Sequence, residues 1–438
     1  MRQRIWAALI LGLVAMPLLA DSDNPVPAWP SWRGPLGNGH AVNANPPIQF
    51  DEKTNLKWKV PVPGKGSATP IVWGNSIFVV TAIASDRKPT PEQFPKVTRK
   101  VEQKTTPPNR LYEFVVLCYD RATGKERWRR TATEAVPHEG THPTHSYAAG
   151  SPTTDGKRLY VSFGSRGIYA YSLDGELLWK RDLGLMTTRL GWGEAVTPVL
   201  AGDALLLNWD QEADSALYCL DAASGTTRWK ADRPEKTSWN TPLVVTHDGV
   251  TQVILNGTTR VRSYDLANGK VLWSVGGMTT NAIPSPIVED GTVFVMSGYR
   301  GAAAVAVSLA ARGELTDAQL QWRYDRGTPY VPSPVYADGK LYFTQANTNQ
   351  FTILDAKTGK VIVDRERLPG NSTFYASPAV AANRIYYPDR EGNVYVLKVA
   401  DSLEILRKNS LDETIDASPV IVGNQLILRG ESSLYCFE

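Results

Sequence analysis

The segment Ser333–Val363, SPVYADGKLYFTQANTNQFTILDAKTGKVIV, holds one complete structural unit. Pro334 opens an apolar run, and a proline at the first position of a strand removes an N–H that the ladder does not need. Asp338-Gly339 then supplies a tight turn, because glycine takes the positive φ that hairpins demand. A second strand follows at Leu341-Tyr342-Phe343 and a third ends at Ile353-Leu354-Asp355. Thr358-Gly359-Lys360 turns the chain into a fourth. The unit predicts four short antiparallel strands.

Its opening dipeptide recurs eight times, at Thr69-Pro70, Ser151-Pro152, Thr197-Pro198, Thr241-Pro242, Ser285-Pro286, Ser333-Pro334, Ser377-Pro378 and Ser418-Pro419. Successive prolines lie 82, 46, 44, 44, 48, 44 and 41 residues apart. A four-stranded propeller blade takes about 40–45 residues, so the spacing predicts eight blades, the first enlarged by an insertion. The 35 glycines, the 30 prolines and the lack of a long amphipathic stretch agree with an all-β chain. A length of 438 residues suggests two or three domains; the repeat reduces them to one eight-bladed β-propeller of four-stranded antiparallel blades.

The turn into the fourth strand repeats as well. Asp120-x-x-Thr123-Gly124-Lys125-x-x-Trp128 returns as Asp221-x-x-Ser224-Gly225-x-x-x-Trp229 and as Asp265-x-x-Asn268-Gly269-Lys270-x-x-Trp273. A short form runs from Asp174-Gly175 to Trp179, and the copy at Asp355 ends in Val363. Aspartate accepts turn N–H bonds, glycine takes the left-handed position, and the tryptophan is expected to fill the wedge between blades rather than serve as a ligand platform. The last unit stops after three strands at Leu434-Tyr435-Cys436-Phe437-Glu438, while Asn55-Leu56-Lys57-Trp58-Lys59-Val60 looks like a fourth strand without a blade. Pairing the two completes blade eight and removes an exposed edge. Residues 54–438 are then the propeller, and 21–53, rich in proline and glycine, an extension lying across it.

This pattern resembles the tryptophan-docking repeat of the PQQ-dependent quinoprotein dehydrogenases and of their non-enzymatic relatives, the outer-membrane assembly factor BamB among them. Trp29-Pro30-Ser31-Trp32-Arg33-Gly34-Pro35 and the stretch from Thr141-His142 to Tyr147 look most like bacterial PQQ-binding-like β-propeller repeat proteins. The resemblance covers nearly the whole chain after residue 20. It implies the fold and leaves the activity open.

Residues 1–20 read as a signal peptide: Arg2 and Arg4, an apolar run from Ile5 to Leu19, and Ala20 before Asp21. The expected product is exported and soluble, in the periplasm or outside the cell, without a transmembrane anchor. A formal charge of +3, falling to +1 without Arg2 and Arg4, gives no electrostatic case for nucleic acid. The basic run Arg121, Lys125, Arg127, Arg129, Arg130 reads as a solvated outer strand. Cys118, Cys219 and Cys436 occupy equivalent positions of different blades, where Ala170, Ser263 and Ala306 stand elsewhere. They are expected to be too far apart for disulfides and to act as small core thiols.

Two enlargements fall on the face that carries the fourth-to-first and second-to-third strand loops. One is the polar insertion from Ala84 to Arg110, the other the loop from Arg130 to Gly150. Together they suggest a recognition face, with an idle insertion as the alternative. The second loop holds His138, His142 and His145, three of five histidines. Their spacing, with Glu139, suits a transition metal; Gly140 and Pro143 oppose a common helical face and favour ordinary hydrogen bonds. Residues just before the inner strands should reach the channel mouth: Lys65, Tyr147, Arg189, Trp192, Glu194, Trp239, Asn240, Tyr330, Tyr375 and Asp416. Asp210, Glu212 and Asp214 crowd another loop there. This mixture suits a small polar ligand, a glycan or a peptide, or a rim that merely traps water.

Two functions follow. The first is a binding or assembly scaffold of the cell envelope, with an envelope protein, glycan or small polar ligand as partner and no catalytic residue. The second, implied by the resemblance, is a dehydrogenase of alcohols or sugars holding PQQ against calcium. Position on the face, rather than any family motif, would make Glu194 and Asn240 its cation ligands, Asp210 or Asp416 its base and Trp239 the ring against the quinone. The adjacent Cys-Cys pair of many quinoprotein alcohol dehydrogenases and the Cys-x-x-Cys-His haem motif are both lacking, which favours the scaffold. No paired carboxylates announce a glycosidase.

Overall fold

The computed structural model describes residues 26–97 and 101–438, so the expected leader lies outside the described residues. Eight antiparallel sheets surround a channel. Blade six, read first from the sequence, comprises Val335–Ala337, Lys340–Thr344, Gln350–Asp355 and Val361–Arg367, numbered outward from the channel. Blade eight combines Val420–Val422, Gln425–Arg429 and Ser433–Phe437 with the early strand Leu56–Pro61. Trp58 lies opposite Cys436 and Lys59 opposite Tyr435. The expected closure is present.

The Ser/Thr-Pro dipeptides form a belt around the channel. The Thr69 amide donates to Ser151 Oγ (3.0 Å) and the Ser151 amide to Thr197 Oγ1 (3.1 Å). Thr241 donates to Ser285, Ser285 to Ser333, Ser333 to Ser377 and Ser377 to Ser418, all at 2.8–3.1 Å. The Ser418 amide closes the circle on Thr69 Oγ1 at 3.0 Å. Each of these seven hydroxyls satisfies a donor of the preceding blade, and the following proline brings no donor of its own.

Tryptophans hold the outer ends. The indole N–H of Trp58 donates to Arg121 O, that of Trp128 to Leu173 O, Trp179 to Ala222 O and Trp229 to Leu266 O, at 2.8–3.1 Å. Each ring lies on the turn glycine of the next blade: a Cβ on Gly124 would come within 2.8 Å of Trp58, and φ there is +72°. A side chain at this glycine would meet both strain and collision. Opposite each tryptophan stands a small residue: Cys118 faces Trp128, Ala170 faces Trp179, Cys219 faces Trp229, and Ala306 faces Trp322. In blade six the pair is Ile353 and Val363. The three cysteines are free and buried, and burial raises their thiols to about 11 or 12. They fill space.

Two tryptophans depart from the sequence reading. Trp273 does not dock on the next blade; Gly313–Leu315 adds a parallel strand over it, and its N–H turns inward to Gln252 Oε1 (3.1 Å). Blade five lacks the Asp-x-x-x-Gly turn because the chain is spent on that added strand. Trp322, beyond the detour, takes the docking place in blade five, donating to Ala356 O at 2.8 Å and lying over Gly359.

The extension lies across the face opposite the enlarged loops. Ala28–Trp29 pairs with the inner strand of blade one, and His40 bridges Val380 of blade seven. Between them Arg33 is buried in the channel, donating to Asn38 O and Pro334 O (2.7 Å each) and Pro378 O (3.4 Å). The extension thus occupies part of this end, leaving a cleft of about 270 Å³ between it and the inner strands of blades two to five.

Trp58→Ala is expected to destabilise the protein by roughly 3–5 kcal/mol, measured by chemical denaturation. The same change at the less buried Trp229 should cost less. Equal costs would mean that closure contributes nothing special.

Candidate functional site

The two enlarged loops lie on one rim, clamped to a third segment. Gln103 bridges Leu190, the Lys104 amide donates to Leu190 O (2.9 Å), and Thr105 Oγ1 bonds Gly191 O. The His142 amide donates to Trp192 O at 2.9 Å. Gly140 and Gly191 both abut Thr105, where a Cβ on either would come within 2.5 Å of Oγ1.

Inside this rim the open end of the channel forms a cup of about 430 Å³. Trp192 and Trp239 stack in it with centroids 6.5 Å apart, and His142 meets Trp192 edge-on at 5.6 Å. Tyr299 stacks on Tyr330 at 4.7 Å across the mouth. Tyr375 carries the Arg390 guanidinium 4.4 Å over its ring, and Arg390 grips Asp416 through Nε and Nη2 at 2.6 and 3.2 Å. Burial pushes the Asp416 carboxyl up, against the pull of Arg390. His142, His145, Trp192, Trp239, Tyr330, Tyr375 and Asp416 thus share the cup, as the chain order suggested.

The other expected residues fall elsewhere. Asp210 and Asn240 do not present themselves on the face. Asp210 forms a fully buried pair with Arg233, whose Nε and Nη2 reach its two oxygens at 2.7 and 2.9 Å, and Ser238 Oγ adds a bond at 2.6 Å. Asn240 is buried beside it, its amide donating to Ser238 Oγ and Asn256 O. Arg189 sits on the rim, its amide on Thr237 Oγ1 at 2.9 Å.

His138, Tyr147 and Glu194 line a separate small cavity with Glu139. The ligand atoms of His138, Glu139 and Glu194 lie within 4.8 Å of one another, the one such grouping among the described residues. The three histidines do not converge. His138 Nε2 bonds Met186 O, His142 Nδ1 bonds Thr144 Oγ1 (2.8 Å), and His145 Nε2 bonds Glu194 O (3.0 Å). Burial pushes both Glu139 and Glu194 up to about 7, Glu139 further by the charge of Glu194. Burial also lowers His138, and brings His145 down to about 4. His138 Nε2 stands 3.6 Å from Glu194 Oε1.

Of the two expected cation ligands, Glu194 is held by the Ser165 amide and hydroxyl, each at 2.6 Å, whereas the Asn240 amide nitrogen belongs to the Ser238–Asn256 network and its Oδ1 is buried without a partner. The Trp239 indole donates to Gly193 O at 2.8 Å. Reading the residues before the inner strands missed Tyr299, Asn347 and Arg390, which come from second-to-third strand loops. The position of Asp210 after its own second strand was the available signal.

A carboxyl held near 7 in the fold keeps a proton that the unfolded chain, with its ordinary value of 4.5, releases from below pH 5. Stability from Glu139 is therefore complete at low pH and lost as pH rises through 7. His145 acts oppositely, its contribution growing between pH 4 and 6.5. Glu139→Gln removes only the first effect. Its stability should fall less than that of the wild type between pH 5 and 8, by roughly 1–3 kcal/mol, in chemical denaturation at both values. Parallel profiles would refute the assignment.

The family model described as "Outer membrane protein assembly factor BamB" matches residues 113–365. No curated protein matches the chain. BamB from Moraxella catarrhalis superposes with a TM-score of 0.52 at 14% identity, over 82% of this chain and 98% of that one. Quinohemoprotein alcohol dehydrogenase from Comamonas testosteroni gives a TM-score of 0.63 at 10% identity, over 94% and 80%. The computationally designed Ika8 protein gives 0.51 at 12%, over 75% and 92%. At such identities the solved structures share the fold alone. The family model covers more than half of the chain, and with the closed ring of docked repeats it establishes that this protein belongs to the BamB-like family of PQQ-type propellers.

Proposed function

We propose that the protein is an exported, non-enzymatic propeller of the bacterial cell envelope, whose aromatic mouth holds a segment of a partner protein. One observation carries this reading. The cup is lined by stacked rings, while the nearby carboxylates are committed to internal partners: Asp416 to Arg390, Asp210 to Arg233 and Glu194 to Ser165. Rings with a polar rim favour recognition of an amphipathic chain. A general base needs a carboxylate free to reach substrate. Export rests on Arg2, Arg4 and the apolar run from Ile5 to Leu19.

Two measurements test it. A photo-crosslinking residue in place of Tyr375 should trap a protein partner in envelope extracts, and one in place of the exposed Leu177 on the outer wall should not. With PQQ and calcium the purified protein should show no alcohol-dependent dye reduction. Saturable turnover would replace the scaffold by a dehydrogenase, and adducts confined to the outer wall would move the binding face.

A further inference from the structure

A second chamber, about 150 Å³, lies between blades eight and one on the same face. It adjoins the cup, since Ser67, Thr144, His145 and Asp416 line both. Its wall includes Arg429, the last residue of the second strand of blade eight and only 1% exposed. Arg429 Nη1 donates to Ala68 O at 2.9 Å, while Nε and Nη2 are buried with no acceptor. The ionisable group acting on it is Tyr119 rather than a carboxylate, and burial pushes the guanidinium down to about 10. Gly66 makes room for it: a Cβ there would come within 2.4 Å of Nη2.

The free edge is informative. Nε and Nη2 form the side of a guanidinium that grips two oxygens at once. Arg233 uses those two atoms on Asp210 and Arg390 uses them on Asp416. Arg429 has the same edge and no acid to fill it. Around the chamber, Arg390 is matched by Asp416, and Lys65 stands 3.7 Å from Glu431 with both side chains exposed. One positive charge is left over, on the buried member. An unpaired buried charge is costly, and the cost falls when an anion joins it.

We propose that this chamber is a small-anion site, taking a carboxylate or phosphate group on the Nε–Nη2 edge of Arg429 after that side chain rotates out of the wall, with Lys65 at the entrance. The site does not depend on the mouth holding a protein. A ligand with an apolar body and one acidic group would fill both chambers, rings in the cup and charge on Arg429.

The test is titration of the full chain with sodium acetate and, separately, inorganic phosphate, at an ionic strength held constant with chloride. Thermal unfolding and calorimetry are the readouts. The wild type should show a saturable rise in Tm with one of the two, which tells carboxylate from phosphate. Arg429→Met should lose that rise and, without either anion, be as stable as the wild type or more so, because it removes an unpaired charge. Should Arg429→Met fail to fold, Arg429→Lys keeps the charge without the fork and should bind at least about tenfold more weakly. Absence of a saturable shift in the wild type, or an undiminished one in the variant that folds, overturns the site.

Discussion

The belt of amide-to-hydroxyl bonds around the channel is the constraint on which the other contacts depend. Seven of the eight junctions among the described residues carry it, and the bond from Ser418 to Thr69 joins the last blade to the first. Inner strands are short, three residues in most blades, and cannot hold a sheet to its neighbour by ladder bonds. A hydroxyl on one side and a proline on the other solve two problems together. The buried donor finds an acceptor, and the next residue has no donor to satisfy. With the inner ends fixed, the outer ends need only a wedge filler, which the tryptophans provide. Neither device works alone: without the belt the rings have no fixed groove, and without the rings the wedges stay open.

The same geometry decides what the charged residues near the mouth can do. Several side chains at the ends of second strands near the mouth are sealed from solvent. Asp210, Asp389 and Arg429 all stand at or just after such an end. Asp210 meets Arg233 in a sealed pair, and Asp389 bonds Asn393. Breaking a sealed pair by removing one partner is costly because the survivor keeps its charge without solvent. These positions favour fixed internal partners over mobile catalytic groups, which is why an acid's place on the right face of the ring says little about catalysis.

The fold was legible because each repeated residue answers a local demand. Glycine answers positive φ, aspartate the turn amides, and a small residue the space opposite a tryptophan; such demands recur wherever the unit does. Trp273 and Trp322 escaped for the converse reason. The strand Gly313–Leu315 is used once, pairs across a blade boundary, and displaces a docking ring from its usual spacing. Site residues were legible only where chain order placed them. Trp192, Trp239, Tyr330, Tyr375 and Asp416 precede inner strands and did reach the cup. Tyr299 and Arg390 follow second strands, and nothing local marks them. The grouping of His138 and Glu139 with Glu194 joins residues 55 and 56 positions apart, a proximity that only the assembled ring creates.

The extension narrows one end of the channel. Trp29, Arg33 and His40 are held by blades one, six and seven, so the extension ties this end to strands far apart in sequence. The clamp of Gln103, Thr105, Leu190 and Gly191 stands on the rim of the opposite end, and its bonds are largely to backbone. The proposed anion site adjoins the aromatic cup at the junction of blades eight and one. The junction is also where the chain closes on itself. Arg429 belongs to the last blade and Ala68 to the approach to the first, so an anion seated there would bear on the seam that holds the ring shut.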